Sequence, residues 1–77
     1  MTSTPEPAPA VVERLNVNLI AKAAADLAAL QARTGYSKTD IINRALALYD
    51  FIDAEIRAGK QVIVRGTDGT DQLVKIL

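Results

Sequence analysis

The chain has no cysteine, no histidine and no tryptophan, and only three aromatic residues in 77. Without cysteine there is no disulfide, and without cysteine or histidine the usual ligands of a structural zinc site are missing. Imidazole acid–base chemistry and thiol nucleophiles are excluded with them. There is no P-loop and no glycine-rich dinucleotide fingerprint. Asp50, Asp53 and Glu55 lie close together, but spacing of this kind on a helix is ordinarily a solvated face rather than a catalytic carboxylate pair. No enzyme activity and no cofactor are therefore expected. No apolar run approaches the roughly 20 residues of a membrane span. The N-terminus lacks the basic-then-apolar layout of a signal peptide. A cytoplasmic protein without membrane contact is the expectation.

What the chain does have is a sorted charge. Nine cations balance nine anions, yet positions 14–44 carry five cations (Arg14, Lys22, Arg33, Lys38, Arg44) against two anions (Asp26, Asp40). That segment is a modest basic footprint inside a neutral chain. At 77 residues the chain makes one small domain, and domains of this size are commonly stabilised by metals, disulfides or association. With the first two gone, association is the remaining route.

Residues 1–11 hold three prolines and no basic side chain, the composition of a disordered tail. Residues 13–19 then alternate strictly. Leu15, Val17 and Leu19 fall on one side, and Arg14, Asn16 and Asn18 on the other, as in a half-buried β-strand. A lone strand leaves its edges unpaired, and the nearest partner is the same strand of a second copy. An Ala-rich helix is predicted over 21–34, stopped by Gly35. Ser37 and Asp40 form a capping box that opens a second helix, ending near Ala58 with Gly59 as its stop. Ile41, Ile42, Ala45, Leu48, Tyr49, Ile52 and Ile56 give this helix a wide apolar face. Part of that face can cover the first helix, and part can pack on a second chain. Residues 61–65 and 72–77 flank an Asp68-Gly69 turn signal and predict a hairpin. The expected dimer core comprises Leu15, Val17, Leu19, Ile41, Ile42, Ala45 and Tyr49.

Strand, helix, glycine-containing turn and capped helix, in that order, resemble the ribbon-helix-helix family of DNA-binding proteins (the Arc and MetJ type). The resemblance covers a little over half the chain. It rests on the alternating strand, on Leu27 and Leu30, and on Gly35-Tyr36-Ser37-Lys38-Thr39-Asp40-Ile41-Ile42 followed by Arg44-Ala45. In the family a G-x-S-x-[ST]-[DE]-[LI]-[IV] run opens the second helix. The chain departs from the pattern at Ile20-Ala21, where a Pro-Glu pair often starts the first helix.

The resemblance implies a mainly α, α+β fold. Residues 12–58 would form an intertwined homodimer around an intermolecular two-stranded antiparallel sheet, with 59–77 as an added C-terminal hairpin. It implies base contacts by Arg14, Asn16 and Asn18 in the major groove of double-stranded DNA. It implies phosphate contacts by Ser37, Lys38 and Thr39. Elementary chemistry agrees with both roles: Arg and Asn match guanine and adenine edges, and a helix N-terminus favours an anion. The plainer readings are a solvated strand face and a simple helix cap.

Three functions follow from these expectations. The first is a dimeric, sequence-specific transcriptional repressor, with dimers able to pair again along DNA. The second is the antitoxin of a toxin–antitoxin pair, a class that uses the same DNA-binding module and commonly neutralises its toxin with a flexible C-terminal segment. The third is a protein-interaction dimer that does not bind DNA. The hairpin, with Val62, Ile63, Val64, Leu73, Val74, Ile76 and Leu77, is too apolar to stand in water. It is expected to pack back on the second helix, to pair with another chain, or to hold a protein partner.

Overall fold

The computed structural model describes residues 10–75. It contains two helices and a two-stranded antiparallel sheet: α1 (Ala21–Thr34), α2 (Lys38–Arg57), β1 (Val62–Arg65) and β2 (Asp71–Val74). This is a small α+β chain in which helix predominates.

Local chemistry sets the helix ends. α1 begins after Ile20, which is extended (φ −71°, ψ 162°) and offers no side-chain cap. Its end is firmer. Gly35 adopts the left-handed conformation at φ +71°, and its N–H donates to Gln31 O, the helix stop for which glycine is suited. The Thr34 hydroxyl donates to Leu30 O at 2.6 Å and accepts from Tyr36 N–H at 3.2 Å, tying the turn to the last coil of α1. Ser37, extended, then caps α2: its Oγ accepts from Asp40 N–H at 3.1 Å. Asp40 in the first turn and Arg57 in the last complement the helix dipole.

The hairpin closes through a three-residue loop. Gly66 N–H donates to Thr70 O at 2.7 Å, and Gly69 N–H donates back to Gly66 O at 3.0 Å. Gly69 sits at φ +86°. The Asp68-Gly69 pair therefore works as a turn followed by a left-handed bulge residue rather than as a tight two-residue loop. Asp68 Oδ1 accepts from both the N–H and the hydroxyl of Thr70, which holds its carboxyl below the usual range. The ladder pairs Val62 with Val74, Ile63 with Leu73, Val64 with Gln72 and Arg65 with Asp71. The second strand thus starts one residue before the expected 72. Asp71, a poor strand former, is drawn in by Arg65, whose Nε and Nη2 donate to its two carboxylate oxygens at 2.6 and 2.9 Å. Ile76 and Leu77, expected in this strand, and residues 1–9 of the expected tail lie outside the described residues.

Packing within the chain is thin. α1 contacts α2, and β1 lies against α2, with Val62 and Val74 half-buried. Ile41, 6% exposed, is the one buried hydrophobic among the described residues. Residues 10–20 carry neither helix nor strand in the single chain, so the strand expected over 13–19 has no partner here. Leu15, Val17 and Leu19 are 66%, 57% and 44% exposed, and Tyr49, Phe51, Leu48 and Leu46 on α2 are exposed as well. Apolar side chains in this number left in water represent burial energy the single chain does not collect.

Candidate functional site

An open groove of about 550 Å³ lies between residues 11–19 and the first half of α2. Arg14 and Asn16 line it from one side, and Lys38, Thr39 and Asn43 from the other. Leu15, Val17, Leu19 and Ile42 contribute its apolar surface. Four of the six side chains expected to contact nucleic acid are thereby brought to one place. Asn18 and Ser37 do not line the groove. Both sides of the alternating segment face it, because without a pairing strand there is no sheet to separate them.

A second, shallow and almost wholly apolar groove of about 230 Å³ lies between the helices. Leu19, Leu27, Leu30, Ile41, Ile42 and Ala45 are among its walls. The two grooves share Leu19, Leu27 and Ile42. Of the expected dimer-core residues, six therefore line a groove, while Tyr49 stands exposed farther along α2.

The start of α2 is built as a polar end. Ser37 occupies the cap, Lys38 and Thr39 take the first helical positions, and Asn43 Nδ2 donates to Thr39 O at 2.8 Å one turn on. The N–H groups of a first helical turn have no intrahelical acceptor, and together with the helix dipole they make a positive pole. Asn43 went unremarked as a site residue in the sequence. Its place four residues after Thr39, on the same helix face, is the signal that would have found it.

Another arrangement lies beside this end. The Arg44 guanidinium carbon stands 4.2 Å from the centroid of the Tyr36 ring, a cation–π stack. The stack holds Arg44 against the turn, and among the described residues no acid pairs with it. Lys22 pairs with Asp26 at 2.8 Å along α1, so part of its charge is matched locally. Two of the acidic residues of α2 are similarly engaged. Asp53 pairs with Arg57 at 2.8 Å, and Glu55 with Lys60 at 2.6 Å. Among the described residues no group of three or more acids, histidines or cysteines is placed to hold a metal ion. Among the same residues no helix is long and apolar enough to cross a membrane.

No family model, no curated protein and no solved structure matches this chain.

Proposed function

We propose that the chain is a dimeric, sequence-specific DNA-binding regulator of the ribbon-helix-helix type, acting as a repressor. Residues 13–19 of two copies pair antiparallel. Leu15, Val17 and Leu19 turn inward onto Ile41, Ile42 and Ala45. The ribbon then presents Arg14, Asn16 and Asn18 twice over to the floor of the major groove, where Arg suits guanine and Asn suits adenine. The two α2 starts, with Ser37, Lys38 and Thr39, grip backbone phosphates on either side and set the register. Bound dimers exclude polymerase from the site.

The observation that carries this reading is the state of residues 11–20. Their apolar side chains are exposed, Leu15, Val17 and Leu19 among them at strand spacing, with no pairing strand among the described residues and directly beside the polar start of α2. The C-terminal hairpin is already folded in the single chain. This favours the repressor over an antitoxin, whose C-terminal segment commonly orders only on its toxin.

The deciding experiment titrates the protein against short duplexes from its own genomic neighbourhood, beside the Arg14→Ala/Asn16→Ala/Asn18→Ala variant. Expected is sequence-selective binding that weakens steeply with salt and is lost in a still-folded variant. A toxin co-purifying with the chain would move the assignment to an antitoxin. Absence of binding by either protein at low salt would leave the interaction dimer.

A further inference from the structure

The hairpin has a face and an edge that the reading above does not use. On one face, Ile63 lies opposite Leu73 and Arg65 opposite Asp71. Ile63 and Leu73 are 48% and 46% exposed. β1 is the strand that lies against α2, whereas β2 makes no comparable approach to either helix, so its outer edge is open. The hydrogen-bond parity of the ladder says which groups line that edge. Gly66 and Thr70 form a bonded pair, so by alternation Arg65/Asp71 and Ile63/Leu73 are the non-bonded pairs. The backbone N–H and C=O of Asp71 and Leu73 therefore point out of the hairpin. Unpaired groups of this kind are a template for another strand, and a hairpin of two strands is marginal by itself.

The sequence along β2 states what that strand is. Asp71 and Lys75 are four residues apart with Leu73 midway. An even spacing puts all three on one face of the strand, and a two-fold axis through an antiparallel pair must fall on a residue position. Centred on Leu73, the segment is complementary to itself. Leu73 meets the partner's Leu73, Asp71 meets the partner's Lys75, and Lys75 meets the partner's Asp71. Each Asp71 would then lie between its own Arg65 and the partner's Lys75, so charges alternate across the sheet. The apolar pair Ile63/Leu73 would continue into its counterpart as one row. Among the described residues Lys75 has no ion-pair partner within the chain. The β1 edge offers no such match: residues 60–65 contain two cations, Lys60 and Arg65, and no acid.

We propose that β2 is a self-association edge: two copies of the chain join through antiparallel β2 strands centred on Leu73, making a four-stranded sheet in the order β1–β2–β2–β1. This contact involves no DNA and none of residues 11–46, so it stands or fails separately from the function proposed above.

The test exploits the absence of cysteine. The full chain carrying Leu73→Cys is labelled with a nitroxide and its electron spin resonance spectrum is followed with concentration. Residues facing each other across such a strand pair have Cα atoms within about 5.5 Å, so strong dipolar broadening is expected. It should disappear when excess unlabelled chain is mixed in. Lys75→Glu, which leaves the Arg65–Asp71 pair in place, opposes like charges at both ends. It should raise the concentration needed for broadening by about tenfold or more at low salt. Amide shifts of β1 and β2, recorded after the nitroxide is reduced to its diamagnetic hydroxylamine, verify that the hairpin is intact in both variants. Narrow lines from an intact hairpin at all concentrations, or broadening indifferent to Lys75→Glu, would overturn the proposal.

Discussion

Replacing Leu15 by alanine should weaken association far more than it disturbs the separate chain. Leu15 is 66% exposed, so about two-thirds of its burial is available only to a partner. Truncating a buried leucine to alanine costs about 2–5 kcal/mol. Scaled to the exposed two-thirds, this is about 1.5–3 kcal/mol per chain and about 3–6 kcal/mol for a symmetric pair. At 1.4 kcal/mol per decade, the dissociation constant should rise at least ~100-fold. Sedimentation equilibrium gives that constant directly. Urea midpoints at two protein concentrations give it again, since a folded state that depends on association shifts with concentration. Asn16→Ala is the internal control and should cost less than ~0.5 kcal/mol. An unchanged constant for Leu15→Ala would refute the inward assignment of Leu15, Val17 and Leu19. Damage from Asn16→Ala instead would mean that the two strand faces are exchanged. Concentration-independent unfolding would refute association through this segment altogether.

Ser37→Ala should destabilise α2 by about 1 kcal/mol, and Ser37→Gly by only a few tenths, in urea melts; equal losses would deny the Oγ cap. Gly35→Ala has open space for the new methyl, so its cost is that of a left-handed φ alone, about 1–2 kcal/mol, and Gly35→Asn should recover part of it. Lys38→Ala should weaken binding to every duplex alike and flatten the log–log salt dependence by about 2 per dimer, leaving sequence preference unchanged. In the hairpin, the Arg65 guanidinium holds the Asp71 carboxyl below its ordinary value. A lowered folded-state pKa gives stability that is complete above the unfolded value and is lost as pH falls through the lowered one. The protection factors of the β1 and β2 amides should therefore fall on acidification below the ordinary carboxylate range, and Arg65→Gln should reduce that dependence to the part that Asp68, held by Thr70, contributes.

The helices were legible because their ends are written in side chains that act locally. Gly35 can turn left-handed, Ser37 can bond Asp40 N–H, and Gly59 at φ +87° ends the run after Arg57. The hairpin was legible in outline, through its β-branched run and Asp68-Gly69. Its register was not, because the start of β2 depends on a cross-strand partner: Asp71 joins the strand through Arg65, six residues earlier. The Tyr36–Arg44 stack was also hidden, since it joins a turn residue to a side chain two helical turns away and leaves no periodic trace. Of the site, the polar start of α2 was visible as a capping sequence, and Asn43 could have been added by its spacing from Thr39. Residues 13–19 show the limit. Their alternation states which side chains belong together, but a strand needs a second strand, and the described residues of the single chain place none beside it.

Ile41 is the one buried hydrophobic among the described residues, and with the proposed pairing this would tie the persistence of the protein to its census in the cell. On the proposed pairing, a newly made chain would have little to shield its backbone from proteases until it met another, and marginal folds are cleared in proportion to the time they spend open. Pairing scales with the square of the number of chains. Halving that number at cell division, or doubling the gene, should therefore change the surviving pool by more than twofold in the dilute range. If pairing is what completes the fold, the protein would measure its own abundance through its stability, before any ligand or target takes part.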